Sequence, residues 1–344
     1  MLAAVLHGAG DLRVEQVPMP EPGPGEALVR VRACGICASD LPRVFESAPY
    51  KHPIILGHEI AGEVARLGPD AYGLEPGMRC AVYPLIPCGG CEPCLAGLPN
   101  LCDAYDYLGS RRDGGFAEYV VAPAQNCLPL PENLGFAAAA LTEPCAVALH
   151  AVRRAEVRLG DAVAVFGAGP IGIVIGLVCR MAGARVVMLE VDERKLAAAR
   201  EFGLDEVVDA RDGPVPRLRE LTGGRGVEVA FEAAGAPPAF REAAAALAKR
   251  GTLALVGNIA GEVSMSQEEY SSLLRRELRI VGSWNSIPRG LAQDDWGATL
   301  ELMASGRLPA ERLASHRFPL GQIAEALALM RSGQVYHRVV LEMR

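Results

Sequence analysis

Asp161-Ala-Val-Ala-Val-Phe166-Gly167-Ala-Gly169-Pro-Ile-Gly172 leads into an apolar run that reaches Met181, then Gly183, then Arg185-Val-Val-Met-Leu-Glu190. The pattern predicts a strand, a glycine turn that opens a helix, and a second strand ending on an acid 23 positions after Gly167. This is the full context of a dinucleotide-binding crossover. Gly167 permits the tight turn, Gly169 lets backbone approach a pyrophosphate, and Gly172 lets the helix pack close on the strand. Pro170 and Ile171 begin the helix, where a missing N–H costs nothing and the remaining ones face the anion. Glu190 is placed to accept hydrogen bonds from ribose hydroxyls, which favours NAD because a 2′-phosphate would meet its charge, and Lys195 adds a contact on the same ribose. A glycine pair without this context is only a packing turn, as Gly8-Ala-Gly10 illustrates.

Outward from that stretch, strand and helix alternate: helix 193–202, strand 206–208, strand 227–232, helix 238–247, strand 252–256 and strand 279–283. Alternation of this kind implies a parallel sheet flanked by helices. Gly257, Ser283 and Trp284 then fall at strand ends, where the nicotinamide half of the cofactor should lie. Residues 1–150 read differently, with short alternating strands such as 26–32 and 60–65 between glycine and proline turns, so a β-rich barrel is expected. Helical patterning follows over 137–154, and later over 291–305 and 323–330. A tail strand over 335–342 is expected to return to the first domain. The domains therefore read as 1–150 with 285–344, and 151–284.

With 344 residues, 50% hydrophobic and 22% charged, the chain can build two cores and has no low-complexity segment. A net charge of −7 without a basic cluster argues against nucleic acid or an anionic membrane surface. The apolar span 162–179 is interrupted by glycines and a proline at a strand-to-helix turn, so it reads as part of the nucleotide fold rather than a membrane helix. The N-terminus lacks the pattern of a signal peptide.

Four of the ten cysteines, Cys88, Cys91, Cys94 and Cys102, fall within fifteen residues. Two-residue gaps let thiolates converge on one tetrahedral ion, and four close its shell, so structural zinc is expected over 88–102. Iron–sulfur ligation favours a different final spacing. A second set, Cys37, His58, Glu59 and Glu143, offers a thiolate, an imidazole and carboxylates, the composition of an open catalytic zinc site.

In the order and distances of Cys37-Ala-Ser39-Asp40, Gly57-His58-Glu59, the cysteine lobe and the glycine turn, the chain resembles the zinc-dependent medium-chain alcohol and polyol dehydrogenases over essentially its whole length. The resemblance implies an α/β protein with a GroES-like catalytic domain, an inserted doubly wound Rossmann domain, and an active site between them. It implies two zinc ions per subunit, NAD, a cytoplasmic homodimer or homotetramer, and oxidation of a secondary alcohol to a ketone with hydride transfer to NAD. Cys37, His58 and Glu143 would hold the catalytic zinc. Glu59 would either join them or sit behind the metal. Ser39 would take the alcohol proton, and Asp40 would orient His58. Glu143-Pro144 stands where simple alcohol dehydrogenases carry a cysteine, which points to the sorbitol-dehydrogenase-like branch. Ser110-Arg111-Arg112 and the segment ending at Trp284 resemble enzymes of phosphorylated alditols, with Arg43, Arg111, Arg112, Trp284 and Lys51 as substrate candidates. Free polyols or diols are the alternative. A zinc-independent NADPH reductase would lack the Cys37–His58–Glu143 set, and a non-enzymatic nucleotide- and zinc-binding protein would have no need of intact ligands.

Overall fold

A computed structural model describes residues 1–46, 50–288 and 293–343. The chain forms two compact units, Met1–Ala146 with Ser286–Arg344, and Val147–Asn285.

The second unit is built on a six-stranded, wholly parallel sheet. Its strands run in the order Val207–Asp209, Arg185–Glu190, Ala162–Phe166, Val227–Glu232, Leu247–Leu255 and Arg279–Gly282. Ala164, Phe166, Val187 and Leu189 share one core with Phe240 and Leu253. Val163, Val165 and Met188 point the other way and are equally buried, so the sheet is covered on both faces. That explains why these strands are apolar at nearly every position instead of alternating. Strand order reverses between Ala162–Phe166 and Val227–Glu232, the switch point at which such sheets bind ligands beyond their carboxyl ends.

Helix Pro170–Met181 buries Gly172 through Cys179 against the strands Ala162–Phe166 and Arg185–Glu190. No helix among the described residues is long and apolar enough to cross a membrane. Helix Glu193–Glu201 is capped by Asp192, whose carboxylate accepts from the Arg194 N–H. The sequence reading missed two helices here, Val215–Leu221 and Gln267–Arg275. The second buries no residue fully, and its apolar face is short, with Leu273 packed against the core; its clearest signal is the capping box of Ser266 and Glu269. Strand Leu247–Leu255 begins five residues earlier than expected, because the preceding helix ends straight into it.

In the first unit, a seven-stranded sheet is centred on Glu26–Ile36, which pairs with Glu59–Leu67, Tyr119–Pro123 and the tail strand Val339–Glu342. The tail strand starts at Val339 rather than 335, since the Ser315 hydroxyl takes the His337 N–H at 3.0 Å and holds the preceding backbone out of the ladder. A smaller sheet joins Leu2–Gly8, Asp11–Gln16 and Ile54–Ile55. The helical stretch expected over 137–154 is two helices, Phe136–Ala140 and Thr142–Arg154. The Thr142 hydroxyl bonds Ala139 O at 2.7 Å across the break, which leaves Glu143 in the first turn of the second helix. Of the helix expected over 291–305, Leu291 and Ala292 lie outside the described residues, and the described helix is Asp295–Ala304. Its Trp296 donates to the Ser286 hydroxyl at 2.9 Å and meets Tyr83 edge-on at 5.3 Å. Tyr83 in turn donates to Ser286 O, fastening the returning chain onto this unit.

Gly172 has no room for a side chain, because a Cβ there would run into Gly167 O. Gly172→Ala is expected to destabilise the protein by about 1–3 kcal/mol through overpacking. It should also weaken dinucleotide binding by displacing the glycine turn; a thermal melt with an NADH fluorescence titration checks both.

Candidate metal and nucleotide sites

The Sγ atoms of Cys88, Cys91, Cys94 and Cys102 all lie within 4.8 Å of one another. Cys94 sits in the short helix Glu92–Leu95, and Cys102 follows the turn Pro99–Leu101. The Cys88 N–H donates to the Cys102 sulfur at 3.2 Å. Thiolates held about 2.3 Å from a tetrahedral ion stand about 3.8 Å apart, and Cys91 and Cys102 are separated by 3.8 Å. The four thiols are electrostatically unequal. N–H groups of Gly90 and Cys91 pull Cys88 down to about 6. Desolvation and the neighbouring sulfurs of Cys91 and Cys102 push Cys94 up to about 12. Crowded thiols of this kind resist losing all their protons unless a cation takes their place, so the donor set fits zinc.

Cys37 follows strand Glu26–Ile36, while His58 and Glu59 open the strand Glu59–Leu67. One donor atom from each of these three residues falls within 4.8 Å of the others. The backbone reaches this position through Gly57 at φ +93°, where a Cβ would collide with the Phe116 ring and approach Cys34 Sγ to 2.9 Å. Glu143 is buried and lies outside the three-atom group, yet its charge acts on His58. Tyr107 donates to Glu143 Oε1 at 3.3 Å, and its ring lies edge-on to His58 at 5.8 Å. Sequence reasoning missed Tyr107.

Glu59 is gripped by Arg338, with Nε 3.0 Å from Oε2 and Nη2 2.6 Å from Oε1. Oε2 is thus engaged by the guanidinium, while Oε1 stands beside it without a hydrogen bond. Arg338 was also missed, because its partner lies 279 residues away and nothing local marks the pair.

Asp40 does not hydrogen-bond His58 as expected. Its Oδ1 stands 3.7 Å from Nδ1, because the carboxylate is engaged by the Cys37 N–H at 3.0 Å and by Arg43 at 3.3 Å. Nδ1 is left buried with no hydrogen-bond partner. Burial disfavours a charged His58, but Asp40, Cys37 and Glu143 outweigh it and lift the group to about 10. Burial raises Glu143 and raises Glu59 to about 7. With His58 neutral and Cys37, Asp40, Glu59 and Glu143 ionised, the set carries four negative charges against two on Arg338 and Arg43. A divalent cation would offset that excess, and the Cys37 thiol and the His58 imidazole supply donors for it.

The substrate candidates separate. Arg43 donates to the exposed Ser39 hydroxyl at 2.9 Å and so lies beside the metal set. Arg111 is stacked between Tyr50 and Tyr105, 4.6 and 4.1 Å from their ring centres. Its Nη1 donates to Tyr105 O at 2.6 Å, and its Nε is buried without a hydrogen-bond partner. Arg112 turns to Glu26 at 2.8 Å and Asp106 at 3.7 Å. The two arginines therefore do not act as one forked pair. Lys51 is exposed at the rim of a cavity of about 450 Å³ that Glu26, Arg112 and Val120 also line, apart from the metal set. Trp284 is largely exposed, in the second unit.

In the second unit, a Cβ on Gly169 would meet open space, so packing does not demand glycine there and the space fits a ligand's approach. Glu190 accepts from Ala168 N at 3.1 Å and Val191 N at 2.8 Å, with Lys195 Nζ 3.7 Å away. Its carboxylate is thus drawn over the glycine turn. Pro170 and Ile171 open the helix as expected. Gly257 lies against Gly235, and the Ser283 hydroxyl is buried without a hydrogen-bond partner.

Residues 23–132 match the family model described as the alcohol dehydrogenase GroES-like domain, and residues 170–305 match the one described as zinc-binding dehydrogenase. Galactitol 1-phosphate 5-dehydrogenase of Escherichia coli K12 is 34% identical over 95% of both chains. The crystal structure of galactitol-1-phosphate dehydrogenase from Escherichia coli superposes with a TM-score of 0.93, at 32% identity, over 99% of this chain and 100% of the other. Sorbitol dehydrogenase of Halalkalibacterium halodurans is 32% identical over 97% of this chain and 96% of its own. A zinc-binding dehydrogenase target from Sinorhizobium meliloti 1021, solved with NADP, superposes with a TM-score of 0.91, at 31% identity, over 99% of this chain and 98% of the other.

Cys91→Ser breaks the thiolate shell. It should lose one bound zinc and lower the melting temperature by roughly 5–10 °C, taking about 2–4 °C per kcal/mol for large domains. Elemental analysis and a melt decide the matter, and a variant that melts like the parent would remove the structural role.

Proposed function

The chain belongs to the zinc-binding medium-chain dehydrogenases, and on that premise we propose that it oxidises a secondary hydroxyl of a phosphorylated alditol to a ketone, passing hydride to NAD. The observation that carries this reading is the buried, negatively biased cluster of Cys37, His58, Glu59 and Glu143, with Arg111 in the same unit. An anionic terminus suits Arg111, whose guanidinium is held between two tyrosine rings. The resemblance to galactitol 1-phosphate 5-dehydrogenase supports the phosphate, and the resemblance to sorbitol dehydrogenase supports a free polyol as the second reading.

Cys37, His58 and Glu143 would hold the catalytic zinc, with Glu59 behind it under the grip of Arg338. Zinc there supplies Lewis acidity that lowers the pKa of an alcohol hydroxyl. Ser39 accepts from Arg43 with one lone pair, which leaves the other to take the alcohol proton while its own hydrogen passes outward. Arg43 thereby sets the direction of that hydroxyl. Tyr107 holds Glu143, and Glu190 with Lys195 receives the ribose hydroxyls. The acid at Glu190 opposes a 2′-phosphate, so NAD is preferred even though one relative was solved with NADP.

We place the protein in the cytoplasm, where clustered thiols stay reduced. We assign it a homodimer or homotetramer. The edge strand Arg279–Gly282 of the parallel sheet carries an exposed Ile280 and has no neighbour on its outer side among the described residues, which supports pairing with a second copy.

Two experiments test the reading. Purified protein of known zinc content is assayed for NADH and NADPH formation over alditol 1-phosphates and the matching free alditols. Preference for the phosphates and for NAD is expected; preference for free alditols would discard Arg111 as a phosphate contact and leave the dehydrogenase intact. Glu143→Ala is expected to cut activity on the order of 100-fold or more, together with catalytic zinc, as losses at metal sites do. Its NADH affinity should stay that of the parent, and an equal loss of NADH binding would refute the separation of roles.

A further inference from the structure

Glu232 is fully buried and plays no part in the reading above. It ends the strand Val227–Glu232, directly beside Phe166 at the end of Ala162–Phe166, so it stands at the place where strand order reverses. Its Oε1 accepts three backbone N–H groups, from Ala234 at 3.0 Å, Gly235 at 2.8 Å and Ala236 at 3.4 Å. One carboxylate oxygen thus shapes the whole bend that opens helix Pro237–Ala246. The other oxygen, Oε2, is buried and has no hydrogen-bond partner.

The bend touches both neighbouring turns. A Cβ on Gly167 would stand 2.8 Å from Ala234 N and 2.9 Å from Ala233 C. One on Gly257 would stand 2.5 Å from Gly235 N and 2.7 Å from Glu232 Oε2. Three backbone segments at the carboxyl end of the sheet therefore meet without side chains between them, and the middle one is held by Glu232. Leaving a buried carboxylate oxygen unpaired is costly, so the residue is held in place for what Oε1 does.

A doubly wound sheet binds one mononucleotide on each side of the reversal. Glu190 lies on one side, at the end of the strand next to Ala162–Phe166, and Glu232 lies on the other. We propose that Glu232 is a positioning residue for the nicotinamide mononucleotide half of the cofactor: its carboxylate sets the Ala233–Ala236 bend as one wall of that half of the groove. This rests on the dinucleotide reading of the glycine turn.

The test uses the zinc-loaded full chain and titrates NADH and 5′-AMP separately into the parent, Glu232→Gln, Glu232→Asp and Glu232→Ala. Gln keeps an acceptor at Oε1 and should weaken NADH only a few-fold, while Asp and Ala, which withdraw or remove it, should weaken NADH by about tenfold or more. AMP affinity should stay within about twofold in all three, since the adenosine half is held from the Glu190 side. A general loss of structure would weaken both ligands together, and that result in Glu232→Gln or Glu232→Asp would overturn the proposal even if Glu232→Ala did not fold. Unchanged NADH binding in Glu232→Asp and Glu232→Ala would also overturn it. If the parent bound neither NADH nor AMP, the dinucleotide reading itself would fall, and the proposal with it.

Discussion

Glu59 and Arg338 form a buried fork between positions 279 residues apart, and the first unit is arranged around it. Gly35 lies opposite Glu59 in the sheet, and a Cβ there would overlap the Glu59 carboxylate, so the central strand is notched to let the acid in. Val340 pairs with Gly35 on the other side, which brings Arg338, just before the tail strand, over the same notch. Such a pair gains little net energy, because desolvation consumes most of the attraction, but removing one partner strands a charge at about 3–5 kcal/mol. Its effect is therefore positional. His58 precedes Glu59 in the chain, so the imidazole stands where the tail of the chain holds it.

The two metal sets answer different physical demands. At the cysteine lobe the donors are four thiols supplied by one short segment, so an ion there would close a local loop and its binding would be folding energy. At the second set the donors come from three separated segments whose places are already determined by the sheet, by the Thr142 helix break and by the Arg338 fork. There the fold itself assembles the donors, and protons on His58 and on the raised carboxyls of Glu59 and Glu143 hold the place that a cation would take. A pre-formed site of that kind can leave a coordination position open, whereas a self-closing lobe uses all four of its donors for structure.

What was legible in the sequence follows the range of each interaction. The glycine turn, the acid after the second strand and the strand Val227–Glu232 rest on neighbours in sequence and on apolar runs, so they could be read directly. The cysteine lobe was equally local. The Arg338 fork, the capture of Arg112 by Glu26, and the contact of Tyr107 with Glu143 join residues far apart, and no periodicity or spacing announces them. The expectation of an Asp40–His58 hydrogen bond failed for a related reason. Proximity was right, but the carboxylate had local claimants, the Cys37 amide and Arg43, that the motif does not display.

Glu190 and Glu232 show how one chemical device can serve two ends. Each acid closes a strand of the parallel sheet, and each uses its carboxylate to gather backbone N–H groups of a following bend. Glu190 is only partly buried, keeps Lys195 near, and reaches Ala168 in the glycine turn, so its carboxylate keeps acceptor capacity at a partly open position. Glu232 is sealed, with one oxygen spent on three amides and the other facing the bare backbone of Gly257. Exposure therefore separates an acid that could meet a ligand from one that is spent on the backbone around it. Only the first kind has a recognisable place in a motif, because its role depends on where it sits relative to the glycines; the second depends on what the fold has closed over it.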